Sequence, residues 1–269
     1  MTLLSTGATD GIGKGFAEEL CARGFNVVLH GRNERKLENV KNDLLKRWPQ
    51  RQIRTLKIDA SQEAGNADAI ARAAAELKDI NLKALINNVG GSSGNLSFVP
   101  LHERTPEQIR SILDVNVRFP TEITRALLPQ LRTNGSGLIM NIGSLTSEFG
   151  LPYLSVYSGC KGYNVCWSRC LEAEMTAENL DIEVLCILVG AVATDLVPRP
   201  VSLFVPNARQ MAKYALDKVG CGRSETFGYW AHGLQAFMFK MMPTWLAKKT
   251  IVDVGKKEKL EDEQRAQNR

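Results

Sequence analysis

The chain has 269 residues, 44% hydrophobic and 23% charged, with a formal net charge of +5. Its lysines and arginines are interleaved with acids and no nucleic-acid-binding motif occurs, so nucleic acid is not an expected partner. No linker-like stretch or internal repeat divides the chain, and no apolar run approaches the roughly eighteen residues that span a bilayer, so one large domain without a transmembrane helix is expected.

Leu3 and Leu4 lead into Thr6-Gly-Ala-Thr-Asp-Gly-Ile-Gly-Lys-Gly15, after which Phe16, Ala17, Leu20 and Cys21 keep helical spacing. This reads as strand, glycine turn and helix. Gly7 permits the tight turn, Gly11 lets backbone N–H groups approach a phosphate, and Gly13 lets the helix pack close to the strand. The helix N-terminus adds partial positive charge for a pyrophosphate. Phe25 to Leu29 form a second strand, followed by His30-Gly-Arg-Asn33. In a dinucleotide fold the adenosine ribose lies there, and an acid would repel a 2′-phosphate. This chain offers Arg32, then Arg35 and Lys36, which favours NADPH over NADH. The rival reading is a solvated basic start to a helix over Glu34–Arg47.

Ile53 to Ile58 read as a third strand ending at Asp59, whose carboxylate either holds an adenine amino group or caps a helix after Ser61. Leu82 to Ile86 make a fourth, ending in Asn87-Asn-Val-Gly-Gly91, whose two amides tie strands together or line a ribose. A long helix is expected from about Pro106 to about Arg132. Inside it Pro120 has no N–H for the carbonyl of Asn116. That carbonyl is then released to hold a water, unless the proline is a plain kink.

Gly137 to Gly143 suit a buried strand with Ser144 at its end. Tyr157 and Lys161 follow, four apart in a segment that continues helically through Val165, Trp167 and Leu171. They share a helix face, and a nearby cation favours the phenolate, which makes the tyrosine a usable acid or base. Ser144 is placed to hydrogen-bond a reacting carbonyl. Ile182 to Val189 read as a strand ending in Gly190-Ala-Val-Ala-Thr194. The proline-rich connection from Asp195 to Pro206 is a flap over the substrate or a surface loop, and Ala208 to Val219 look helical.

Trp230, Leu234, Phe237, Met238, Met241 and Trp245 form an amphipathic helix broken near Pro243. It docks on the core or a second subunit, walls an apolar pocket, or contacts a membrane surface. Residues 256–269 carry mixed charge and are expected to be disordered, so the domain is taken as 1–255, with its amphipathic segment at 228–252. The six cysteines include no Cys-x-x-Cys pair. They read as core-filling thiols of a reducing compartment rather than half a metal site at Cys166 and Cys170, and no metal is expected.

Thr6-Gly-x-x-x-Gly-x-Gly, Asn87-Asn-Val-Gly, Asn116, Ser144 and Tyr157-x-x-x-Lys161 stand in the order and spacing of the short-chain dehydrogenases/reductases, which the chain resembles over nearly its whole length. Gly-Ala-Thr-Asp-Gly-Ile-Gly-Lys, Gly24-Phe-Asn-Val-Val-Leu and Tyr229-Trp-Ala-His-Gly-Leu-Gln are similar to the very-long-chain 3-oxoacyl-CoA reductases and the related 17-beta-hydroxysteroid dehydrogenases. The resemblance implies a single-domain, Rossmann-type doubly wound parallel α/β sheet. It implies Tyr157 as catalytic acid/base, Ser144 orienting the carbonyl, Lys161 lowering the tyrosine pKa and holding the nicotinamide ribose, and Asn116 holding a relay water. NADP(H) would be bound by Gly7, Thr9, Gly11, Ile12, Gly13, Arg32, Lys36, Asp59, Asn88, Gly90, Tyr157, Lys161 and Thr194. A homodimer paired through the long helices is a further implication.

Val89 and Val189 depart from the family's usual alanine and proline. The chain begins almost at its first strand, so the hydrophobic N-terminal anchor of membrane-bound relatives cannot be carried over. A cytoplasmic protein is expected, with peripheral contact at the endoplasmic reticulum membrane as the variant reading. The expected reaction is NADPH-dependent interconversion of a ketone and a secondary alcohol on an apolar 3-oxoacyl-CoA or steroid-like substrate. The alternatives are a polyketide-type ketoreductase, a non-catalytic NADP(H)-binding scaffold or sensor, and a membrane-surface interaction protein.

Overall fold

The computed structural model of the chain describes residues 1–92 and 96–267. Its strands are β1 (Thr2–Ser5), β2 (Asn26–Gly31), β3 (Ile53–Lys57), β4 (Leu82–Asn87), β5 (Gly137–Ile142), β6 (Ile182–Leu188) and β7 (Glu225–Phe227). Between and after them lie α1 (Gly11–Ala22), α2 (Glu34–Arg47), α3 (Ala67–Ala75), α4 (Pro106–Leu113), α5 (Phe119–Thr133), α6 (Thr146–Phe149), α7 (Ser155–Ala177), α8 (Ala208–Leu216), α9 (Trp230–Lys240) and α10 (Thr244–Gln267). The strands form one parallel sheet in the order β3-β2-β1-β4-β5-β6-β7. Near-continuous apolar runs such as Val27–Leu29 and Val184–Leu188 are what a sheet covered on both faces demands. On one face Phe16, Leu20 and Met211 pack α1 and α8 against it. On the other, Ile70, Phe119, Ile123 and Leu171 do the same for α3, α5 and α7.

Several sequence expectations are corrected. The long helix from Pro106 starts as expected, with Thr105 and Gln108 in a capping box, but does not run through unbroken. Asp114–Arg118 is a π-helical segment, in which the N–H of Phe119 bonds to the carbonyl of Asp114, five residues back. Pro120 withholds an N–H from the next turn, and the ladder slips around that gap. No helix begins after Ser61. Asp59 instead accepts from the Ser61 N–H and hydroxyl at 2.9 and 2.6 Å in a local turn, and α3 starts at Ala67 under an Asn66 cap.

Strand β7 was not anticipated, because three partly buried residues show no periodicity. The segment from Lys256, expected to be disordered, continues α10 as helix to Gln267. Cys21, Cys160 and Cys186 fill the core, whereas Cys166, Cys170 and Cys221 are exposed. The amphipathic segment breaks at Pro243 between α9 and α10; α9 docks through buried Ala231, His232 and Ala236, but the large apolar side chains of the stripe stay exposed. Phe237 is 62% exposed, and Met241 and Trp245 are each 70% exposed. Among the described residues no helix is long and apolar enough to cross a membrane.

Candidate active site

Parallel strands bring all their carboxyl ends to one edge of the sheet. The chain winds outward from β1 to β3 and returns to start again at β4, so the loops after β1 and β4 diverge and leave a crevice. The glycine turn lies at that point. Gly7 has φ +65°, a left-handed conformation suited to glycine. A Cβ on Gly13 would lie 2.2 Å from the Gly7 carbonyl oxygen, so only glycine lets α1 start this close to β1.

Polar bonds fasten this turn to β4. The Thr6 hydroxyl donates to the Ile86 carbonyl at 3.1 Å and accepts from the Asn88 and Val89 N–H groups at 2.9 and 3.0 Å. Asn88 returns its side-chain amide to the Thr6 carbonyl at 2.8 Å. Asn87 donates to Thr124 Oγ1 and Asn141 Oδ1, tying β4 to α5 and β5. Both asparagines therefore cross-link elements in this structure.

Thr9 packs over Gly31, and Arg32 follows at the tip of β2. Arg32, Arg35 and Lys36 are exposed and have no ion-pair partner among the described residues. Asn33 caps α2 by accepting from the Lys36 N–H at 3.0 Å. Thr194 closes the far side, its methyl 3.3 Å from where a Gly11 Cβ would stand, and Ile12 packs into the core beneath α1. A crevice with a helix N-terminus, close backbone approach and unpaired cations at one end fits a phosphate-bearing dinucleotide.

Ser144, Tyr157, Lys161 and Asn116 converge beyond the ends of β4 and β5. Lys161 is 4% exposed and donates from Nζ to the Ile142 carbonyl at 2.7 Å. The Ser144 hydroxyl lies beside the Tyr157 phenol, close enough to lower its pKa. Ser144 Oγ also accepts from the Thr146 N–H and hydroxyl at 3.2 and 3.0 Å. Asn116 uses its amide on the Gly91 and Ile112 carbonyls and accepts from the Gly91 N–H. A Cβ on Gly90 would stand 2.8 Å from Asn116 Oδ1 and 3.3 Å from Lys161 Nζ, so Gly90 keeps the floor between these groups open.

The electrostatics differ from expectation. Burial pushes the Tyr157 phenol up to about 12, opposed by the neighbouring Ser144 hydroxyl. Burial outweighs the lysine, whose Nζ sits 5.6 Å from the ring centroid and is turned to the Ile142 carbonyl. Burial brings Lys161 itself down to about 8. At neutral pH the tyrosine is thus a protonated phenol and the lysine mostly a cation.

Two histidines escaped the sequence reading. His30 is buried, stacks on Phe119 at 4.9 Å and accepts from the Gly7 N–H at 3.3 Å. Burial lowers its pKa to about 4, so it is neutral beneath the turn. His232 on α9 is buried and accepts from the Gly190 N–H at 3.1 Å, while its Nε2 lies 3.2 Å from the Ala191 carbonyl oxygen. It thereby holds the turn after β6. Its place in the Tyr229-Trp-Ala-His run was the available signal, but no spacing links a lone histidine to a turn forty residues earlier.

The short chain dehydrogenase family profile matches residues 1–201. The very-long-chain 3-oxoacyl-CoA reductase of Neurospora crassa is 32% identical over 251 residues, covering 91% of this chain and 72% of that protein. Its namesake in Rattus norvegicus is 31% identical over 93% of this chain and 78% of its own length. Among solved structures, a short-chain dehydrogenase from Sphingobium yanoikuyae in complex with NADPH gives a TM-score of 0.71 at 24% identity, over 90% of this chain and 96% of that one. A 7beta-hydroxysteroid dehydrogenase gives 0.79 at 20% identity, over 93% and 95%. These structures share the doubly wound fold. By family profile and by identity to curated reductases over most of its length, the chain belongs to the short-chain dehydrogenases, oxidoreductases that act on CH–OH groups with NAD(P)(H).

Proposed function

We propose that the protein is an NADPH-dependent reductase of an apolar, extended ketone, a 3-oxoacyl thioester or a steroid-like molecule. The observation that carries this reading is the gathering of Ser144, Tyr157 and the buried Lys161 cation at the carboxyl end of β5, with Nζ 5.6 Å from the Tyr157 ring. NADPH, when bound, supplies the hydride. Tyr157, protonated at neutral pH, gives its proton to the carbonyl oxygen as charge develops there, and Ser144 donates a hydrogen bond to that same oxygen. Lys161 then stabilises the phenolate that remains and holds the cofactor's ribose. Asn116 keeps the Gly90–Gly91 segment clear of this space and, through its carbonyl facing Pro120, holds a water that returns the proton. The names of the curated relatives support the choice of an acyl thioester. The unpaired Arg32 and Lys36 support a 2′-phosphate.

The exposed stripe of α9 and the start of α10 fits an anionic lipid surface. Residues 228–252 contain Lys240, Lys248 and Lys249 and no acid. Tryptophans at both ends of the stripe suit the water–lipid boundary, and an apolar substrate would be met there.

In a panel of long-chain 3-oxoacyl thioesters, steroids and aromatic ketones, at least one class should oxidise NADPH, and Tyr157→Phe should bind NADPH normally while turnover falls about 10²- to 10⁴-fold. Loss of NADPH by no ketone would leave a dinucleotide-binding scaffold as the better reading. The pH profile follows from the signs. Tyr157 stays protonated up to about 12, while Lys161 loses its charge through about 8. Reductive kcat/KM should therefore fall on an alkaline limb near pH 8, and a flat profile to pH 10 would remove Lys161 from the mechanism. Arg32→Ala should raise the KM for NADPH about 10- to 100-fold and spare NADH; equal effects on both cofactors would contradict the phosphate contact. The protein should float with phosphatidylserine-containing liposomes, and a Phe237→Glu/Met241→Glu variant should not; flotation of both would rule out the stripe.

A further inference from the structure

Helix α10 touches the loops that follow β4, β5 and β6. Gly255, Glu258, Lys259 and Asp262 recur at spacings of three and four, which places them on one face. Asp262 accepts the N–H groups of Ser97 and Phe98, the latter at 3.0 Å, in the loop after β4. Gly255 lets the helix close on Pro152, since a Cβ there would lie 3.0 Å from the proline ring. Lys259 stands 6.0 Å over the ring of Tyr153. Pro152 and Tyr153 belong to the loop that joins Ser144 to Tyr157. Glu258 forms a two-pronged ion pair with Arg199, in the loop after β6, and both side chains are largely buried, at 16% and 23% exposure.

The loops are also tied to one another beneath the helix. Tyr153 has φ +69°, a left-handed conformation that is strained for a non-glycine residue and persists only where its surroundings enforce it. Its carbonyl accepts from the Val99 N–H at 3.2 Å and lies 3.5 Å from the Arg104 guanidinium. Arg104 is 8% exposed, also donates to the Ser97 carbonyl, and keeps one buried guanidinium nitrogen without a partner.

We propose that α10 forms the outer wall of the substrate side of the cleft. Glu258 and Asp262 are then specificity-determining residues, because they dock this wall on the loops flanking Tyr157. The proposal rests on the reductase reading above. A docked wall gives an extended apolar ketone a surface to lie against; a small ketone reaches Tyr157 without it. The latches are carboxylates of α10 that reach the loops, so the conservative changes Glu258→Gln and Asp262→Asn weaken them without changing volume.

The test compares the full chain with Glu258→Gln, Asp262→Asn, Arg199→Glu and the exchange Arg199→Glu/Glu258→Arg. Each weakened variant should lose about tenfold in kcat/KM for a long-chain 3-oxoacyl thioester, through KM. The kcat/KM for cyclohexanone and the NADPH Kd should stay within about twofold, well below the tenfold effect expected of a lost charge-assisted bond. The exchange variant should recover the long-chain value. Equal losses on both ketones, a shifted NADPH Kd or no change at all would overturn the proposal. Wild-type turnover is read first. If no ketone reacts, the reductase reading falls, and amide exchange across α10 then judges the wall: faster in Glu258→Gln if the latch holds it, unchanged if it does not.

Discussion

The arrangement depends on a cation kept out of water. Lys161 is 4% exposed, and a buried ammonium with no partner would lose its proton or pull solvent in. One strong bond to the Ile142 carbonyl holds it at the end of β5, and burial still brings its pKa to about 8. The neighbourhood is built around that cost. Gly90 has no side chain to crowd the ammonium, and Asn116 spends its amide on local backbone rather than competing for it. Tyr157 on the preceding turn, only half-buried, stays a neutral phenol. A cation with few partners and a phenol with its proton still attached are complementary: transfer of that proton creates the anion that the cation lacks.

The dinucleotide side is rigid for a different reason. There, close backbone contact does the positioning, with Thr6, Asn88 and Gly13 locking β1, β4 and α1 together within a few ångströms. His30 supports the turn from below as a neutral ring. The substrate side is instead assembled from loops, each of which leaves a strand end and is tied down by side chains. Cofactor recognition thus belongs to the sheet and its first helix, whereas substrate recognition is left to parts that can change without disturbing the sheet.

That division explains what could be read from the chain. The strand–glycine–helix opening, the buried strands at Leu82–Ile86 and Ile182–Val189, and Tyr157 with Lys161 on one helix face all follow from local spacing, and the structure has them. The π-helical slip at Asp114–Arg118 was half legible: Pro120 announces a lost hydrogen bond, but not which way the ladder adjusts. The helix cap offered for Asp59 failed because a carboxylate at a strand end bonds to a serine two residues on as readily as it caps a helix. The largest gap was α10. Its charges look like a solvated tail because Glu258 finds Arg199 fifty-nine residues away and Asp262 finds backbone N–H groups, neither of which leaves a periodic mark. The phenol's raised pKa was also out of reach, since sequence shows the neighbouring cation but not the depth of burial.

The π-helical segment makes chain length at this point as consequential as residue identity. It holds an additional amino acid within one turn, and Asn116 faces Gly90 and Gly91 because of it. Deleting any one residue between Leu113 and Phe119 would mend the ladder with little rotation of the flanking helices, because the widened turn absorbs the additional residue, but it would remove the bulge itself. The Phe119–Leu131 stripe would stay on the sheet, while Asn116 would lose the bulge that aims it at Gly91. A homologue can therefore vary the chemistry of this stretch far more freely than its residue count.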